Sequence, residues 1–156
     1  MIKGDSQAVQ NEFKRWMKKA LYTERRIEKL LELKERYQDI YARVTGTMSM
    51  PRVSGSSKRD GLADGALALI DTNRELDRQM RELAVQVNER RAMIARLKDV
   101  RMQALLEMRY LNGLGWEDIA RALHYELRTI HYLHGRALNE VGEIAMEGGA
   151  LALCGH

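Results

Sequence analysis

Residues 105–138 read LLEMRYLNGLGWEDIARALHYELRTIHYLHGRAL. Asn112-Gly113 is a helix C-cap signal that closes a helix running from Asp99 to Leu111, with Met102, Leu105, Leu106 and Met108 or Arg109 at helical spacing. A short helix follows over Trp116–Leu123, with Gly115 as its N-cap and Glu117 and Asp118 in the first turn, where the helix dipole favours negative charge. His124-Tyr125 is a tight break. A third helix runs from Glu126 to Glu143, with Ile130, Leu133, Ala137, Leu138 and Val141 as its inner face. Ile119, Ala120 and Leu123 supply the inner face of the short helix, and Ala120 is small where the next helix crosses. Helix, turn, short helix, tight turn and longer helix make a helix-turn-helix whose last helix is the reader.

Upstream of this head, two long helical stretches are expected. Phe13, Met17, Ala20, Leu21, Ile27, Leu30, Leu31, Leu33, Tyr37, Ile40, Tyr41 and Val44 recur at three- and four-residue steps across 7–44, with no Pro or Gly between them. The stretch 45–60 holds the only proline and is rich in small polar residues, which predicts a loop. From Leu62 to Lys98 a seam of Leu62, Ala66, Leu69, Asn73, Leu76, Met80, Leu83, Val87, Arg90, Ile94 and Leu97 alternates steps of four and three over five heptads. A 3.5-residue period sustained so long is a coiled-coil signal. Asn73 and Arg90 are its polar members. They are tolerated imperfections, or Asn73 fixes register and partner number. The long helices pair as an antiparallel hairpin within one chain or pair between chains. The sequence reading is therefore all-α: a long helical coiled-coil hairpin (residues 1–98) for oligomerisation or a partner, a small C-terminal helix-turn-helix domain (99–143), and a flexible tail (144–156).

Composition limits the function classes. The chain has 156 residues, 45% apolar and 31% charged, with 26 Lys+Arg against 22 Asp+Glu, a net charge of +4 and a pI near 9.3. That balance permits a polyanionic partner without demanding one. The charge is uneven: residues 1–60 carry net +6, 61–98 net +1, and 99–156 net −3. One cysteine gives no disulfide framework and no CxxC zinc motif, which suits a reducing cytoplasm. No apolar run approaches membrane-spanning length. No nucleophile motif or phosphate-binding glycine loop is present, so no enzyme activity and no cofactor are expected. His131 and His134 lack further ligands, Cys154 and His156 lie on the tail, and no metal is expected.

With the inner face turned to the core, the outward face of the third helix is Leu127, Arg128, Thr129, His131, Tyr132, Gly135 and Arg136. Arg128, near the helix start, is the candidate base reader through bidentate hydrogen bonds to guanine. Thr129 and His131 suit a base edge or a phosphate, Tyr132 and Arg136 suit the backbone, and Arg121 suits a phosphate near the turn. With a net charge of −3, the head has only two Arg and a few neutral donors on this face, which makes one copy a weak DNA-binding module. Help is expected from dimerisation, from RNA polymerase or from the basic start of the first helix: Lys14, Arg15, Lys18, Lys19, Arg25, Arg26 and Lys29. That cluster is a phosphate- or polymerase-facing surface, or the solvated flank of a coiled coil. Trp116 is expected to anchor the short helix on Leu106 and Tyr110.

MRYLNGLGWEDIARAL followed by HYELRTIHYLHGRAL resembles the helix-turn-helix of sigma-factor region 4. It looks closest to the RinA and ArpU-like late-gene activators of phages. The matching pieces are Arg109-Tyr110, Trp116-Glu117-Asp118-Ile119-Ala120 and His134-Gly135-Arg136-Ala137-Leu138, with Ser54-Gly55-Ser56-Ser57 and the Leu62–Lys98 helix similar in kind. The resemblance implies a transcriptional regulator that is homo-oligomeric, binds double-stranded promoter DNA and works with RNA polymerase. The reading helix of that group begins with Ser or Thr, whereas this chain has Glu126. A full sigma factor is not expected, because aromatics are only 6% and the N-terminal half is heptad-patterned. Two alternatives remain: a coiled-coil assembly or adaptor protein whose helix-turn-helix docks protein, and an oligomeric phage DNA-packaging recogniser.

Overall fold

A computed structural model of the chain describes residues 2–46 and 56–147. The fold is all-α. The helices are α1 (Ile2–Gly46), α2 (Ser56–Ala95), α3 (Val100–Leu106, continued by a π turn over Glu107–Leu111), α4 (Trp116–Leu123) and α5 (Leu127–Glu147). No described helix is long and apolar enough to cross a membrane.

Several boundaries differ from those the sequence suggests. α2 begins at Ser56, so residues 56–60 of the expected loop are its first turn, and residues 47–55 lie outside the described residues. α2 ends at Ala95, because Asp99 caps the next helix instead of prolonging this one. The Asp99 side chain accepts the Arg101 backbone N–H at 2.9 Å. α5 continues through Gly142 to Glu147, and the burial of Ile144 explains why 144–147 is helix and not part of a loose tail. Residues 148–156 of that tail lie outside the described residues.

The chain forms two compact units, and they do not divide at residue 98. The first joins the chain up to Tyr22 with the chain from Ala84 onward; the second is Thr23–Leu83. In the first unit the core is Phe13 and Met17 of α1, Ile94 and Leu97 at the end of α2, Met102, Leu105, Leu106 and Tyr110, Ile119 and Ala120 of α4, and Ile130, Leu133, Ala137, Leu138, Val141 and Ile144 of α5. The residues of α1 up to Tyr22 are thus a structural part of the head. Their +3 charge offsets the −3 of residues 99–156.

In the second unit α1 and α2 of one chain lie side by side, and buried polar side chains stand among half-buried Leu30, Leu33, Leu69 and Leu83. Thr23, Thr72 and Gln79 are buried there, and Leu76 is the one fully buried apolar side chain among the described residues of this unit. The expected seam needs correction here. Asn73 and Met80 are exposed, while their neighbours Thr72 and Gln79, one position earlier, are buried. α1 meets the Thr72–Leu76–Gln79 side of the stripe and leaves the Asn73–Met80 side open. The heptad period marks both sides alike, and the packing of α1 chooses between them.

Candidate nucleic-acid interface

α3, α4 and α5 build the head from the turns outward. The end of α3 widens into a π turn, in which the Asn112 N–H reaches the Glu107 carbonyl at 3.0 Å and the Leu114 N–H reaches the Met108 carbonyl at 2.9 Å. Gly113 then takes φ +69°, a conformation that favours glycine, and the Leu21 side chain lies 3.4 Å from where a Cβ would sit. Gly115 starts α4 in an extended conformation, as expected, without a side-chain cap bond.

α4 closes on His124 in the left-handed region at φ 57°, ψ 41°. The His124 N–H bonds to the Arg121 carbonyl at 3.3 Å and the Tyr125 N–H to the Ala120 carbonyl at 3.0 Å, which is the Schellman pattern. Two residues later Glu126 offers its carbonyl to the Ile130 N–H at 3.1 Å, and α5 begins. This tight reversal sets the angle of α5 against α4. Ile130, Leu133, Ala137, Leu138 and Val141 are buried, as the helical spacing predicts. At the other side of the head, Glu140 of α5 accepts the Lys98 backbone N–H at 2.8 Å, tying α5 to the start of α3.

The outward face of α5 carries Arg128, His131, Tyr132 and Arg136, all exposed. Tyr132 is 64% exposed, and the Arg136 guanidinium lies 6.0 Å from its ring centre. Thr129 is half-buried, so it presents less to a ligand than the periodicity suggests. Arg121 is exposed but is bonded to Asp118 of its own helix at 3.1 Å. His131 leans on Trp116, with ring centres 5.0 Å apart.

Trp116 is half-buried against the core. Its ring neighbours are His131, His134 at 4.7 Å and the guanidinium of Arg109 at 4.3 Å. Arg109 is fixed over it by donating to the Leu114 carbonyl at 2.9 Å. His134 and Tyr110 are both buried and share a hydrogen bond of 2.9 Å between Nε2 and the phenol oxygen. Burial pushes the His134 imidazole down to about 4, helped by the positive charges of Lys14, Arg109, His131 and Lys18. Burial pushes the Tyr110 phenol up to about 12. Both groups are neutral at pH 7.

The charges acting on His134 show where the basic start of α1 lies. Gln10 of α1 donates to the Asn139 side chain of α5 at 2.6 Å, and Leu21 reaches Gly113, so the turns carrying Lys14 and Lys18 run alongside α5 between these contacts. Arg101 of α3 and Arg136 of the outward face of α5 both act on Asp99. The Arg101 side chain is bonded to Asp99 at 2.8 Å, and this bond together with the Arg101 backbone N–H holds the Asp99 carboxyl down to about 2. Arg15 and Lys19 are exposed on the same turns of α1. Arg25, Arg26 and Lys29 belong to the second unit, where Lys29 is bonded to Glu32 at 3.0 Å and Arg26 acts on Glu75. The expected basic cluster is therefore split between the two units.

Sequence reasoning passes over Arg101, Arg109 and the Tyr110–His134 pair as parts of this surface. Arg109-Tyr110 and His134 stand in the stretch that carries the resemblance, but their roles depend on contacts between α3, α4 and α5 that no single-helix period reveals. No group of three or more His, Cys, Asp or Glu suited to a metal occurs among the described residues.

An all-α chain that presents a helix-turn-helix is the class this geometry defines. A family model described as a protein of unknown function, DUF1492, matches residues 43–141, and the chain belongs to that family. No curated protein and no solved structure matches the chain.

Proposed function

We propose that the protein is a sequence-specific DNA-binding transcriptional regulator of the phage late-gene activator type, acting on promoter DNA together with RNA polymerase. The observation that carries this reading is the exposed face of α5 bearing Arg128, His131, Tyr132 and Arg136, in a unit that also contains Lys14 and Lys18 of α1. A helix set into the major groove needs hydrogen-bonding side chains at its N-terminal half and cations where the phosphate backbones rise on either side. The head's own residues are net acidic, and α1 supplies the missing positive charge. Arg128 occupies the second residue of α5, close enough to the helix start to read a guanine edge.

Selection of bound duplexes from a random-sequence pool, at two salt concentrations, tests the reading. A defined enriched motif is expected. Arg128→Ala is expected to weaken it by about 1–3 kcal/mol and to relax preference at one base position. Absence of any motif, with weak and steeply salt-dependent binding, overturns sequence-specific recognition and favours the adaptor reading, in which the exposed Glu126 beside the start of α5 meets a protein and not a phosphate.

A further inference from the structure

We propose that Trp116, clamped by Arg109, is the positioning residue of the reading face: it fixes the His131 ring, and His131 reads a purine at the base position next to the one Arg128 reads. The inference rests on the DNA reading of α5 and names the side chains that set its specificity.

Trp116 is the first residue of α4 and is half-buried. Anchoring α4 needs only the buried part of the indole, which meets the core and His134. Two further contacts go beyond that need. The Arg109 guanidinium stands 4.3 Å from the ring centre, and the His131 ring stands 5.0 Å away with the planes at 53°. Arg109 sits in the π turn that ends α3, a rare geometry that recurs at functional sites. Its side chain donates to the carbonyl of Leu114, two residues before Trp116, so cation and indole are held to the same turn. A half-buried guanidinium occupied in this way clamps the indole and is not spent on a phosphate.

His131 is the exposed end of this arrangement. Among the described residues neither of its ring nitrogens has a hydrogen-bond partner. The next turn of α5 is clear, because Gly135 follows four residues on and nothing stands within 4 Å of where its Cβ would be. An exposed side chain left alone hops between rotamers and loses that freedom on binding. A ring already seated against an indole has less freedom to lose.

Spacing places the base. Arg128 and His131 are the second and fifth residues of α5 and share its outward face. Three residues rise about 4.5 Å along a helix, comparable with the roughly 3.4 Å between stacked bases. In helices set into the major groove, side chains three apart contact successive bases. Both purines present an N7 acceptor there, and a histidine ring N–H donates to it.

Two measurements test this, one of them without DNA. In the free protein, side-chain coupling constants are expected to show one dominant His131 rotamer. Trp116→Phe, which retains a ring, is expected to keep it. Trp116→Leu, and Arg109→Met by loosening the clamp, are expected to release it, with helical circular dichroism checking that each variant folds. In motif selection, His131→Ala is expected to lose a purine preference at one position, adjacent to the one that Arg128→Ala relaxes. Trp116→Leu is expected to blur that same position and to weaken the selected site by about two- to tenfold, whereas Trp116→Phe retains both. A tryptophan that served stability alone would change neither the His131 rotamers nor the preference at a single position. Rotamer averaging of His131 in the unaltered protein overturns the positioning role, whether or not Trp116→Leu folds. A motif that His131→Ala leaves intact at every position overturns the base contact. If the unaltered protein selects no motif, the DNA reading fails and the base contact falls with it, even where the His131 rotamer is fixed.

Discussion

The Arg90 guanidinium stands 4.3 Å from the centre of the Trp16 ring and also donates to the main-chain carbonyls of Trp16 and, at 3.3 Å, Met17. A third bond runs to the Gln86 carbonyl at 2.7 Å, and Arg90 is 1% exposed. No carboxylate among the described residues is bonded to it, and burial pulls its pKa below the usual guanidinium value. Helix carbonyls along the chain and an aromatic face hold this cation, a task suited to the planar fork of arginine. The contact joins α1 to the end of α2 and so fixes the turns that bear Lys14 and Lys18.

Replacing Arg90 separates its volume from its charge. Arg90→Met keeps most of the packed length and removes a charge that is expensive to bury, so stability is expected to be unchanged or higher. Arg90→Ala leaves a cavity beside Trp16 and is expected to cost about 2–5 kcal/mol. Urea unfolding of the three proteins measures both. A large loss in Arg90→Met would show that the three carbonyl bonds outweigh desolvation.

The Tyr110–His134 pair makes the head acid-sensitive in a defined window. The folded His134 value of about 4 lies below the unfolded value near 6.5, so the unfolded chain binds the extra proton. Stability is full above pH 6.5, falls as the pH drops toward 4, and by then about 3 kcal/mol has gone. Glu75 and Asp99, both held at about 2, are carboxylates whose stabilisation is lost only at lower pH, as they protonate. His134→Gln is expected to flatten the stability curve between pH 6.5 and 4 while leaving the later loss in place. Equal slopes in the two proteins would show that His134 is accessible to protons in the folded state.

His124 adopts a left-handed conformation that costs an L-residue about 1–2 kcal/mol, partly offset in glycine by the freer unfolded chain. His124→Gly is expected to raise stability by about 0.5–1 kcal/mol, and His124→Val to lower it by more than that. Thermal melts of both variants read this directly. A gain in the valine variant would contradict the turn geometry.

Much of the head is legible in the sequence because its signals are local. Asn112-Gly113 marks the end of one helix, the apolar steps of Ile119, Ala120 and Leu123 mark α4, and those of Ile130 to Val141 mark α5. The expected Trp116–Leu123 boundaries coincide with α4. What escapes is set by contacts between helices. Arg90 reads as an imperfection in a seam, and only the carbonyls of α1 show it to be a fixed contact. Asn73 and Thr72 differ by one position and about 100° of helix, and only the placement of α1 decides which is covered. Trp116 is anchored as expected, but its ring partners are His131, His134 and Arg109. His131 and His134, three apart on one helix, separate into an exposed and a buried residue because α5 turns His134 toward Tyr110.

The basic turns of α1 give the DNA reading its most discriminating electrostatic test. Each lysine that sits against a phosphate releases about one counterion on binding, so its loss lowers the slope of log K against log salt by about 1 and weakens all sequences alike. Lys14→Ala and Lys18→Ala are expected to do this singly and to add in the double variant, because neither reads a base. Lys29→Ala, in the second unit and paired with Glu32, is expected to leave the slope unchanged. The same two α1 substitutions remove positive charge facing His134, so its titration should move upward toward 6.5 in each variant even without DNA. Salt-dependent fluorescence anisotropy measures the slope, and proton-detected titration of the His134 ring measures the shift. A raised His134 pKa with an unaltered slope would place both lysines beside α5 but away from the phosphates, and α1 would then serve the head as structure alone.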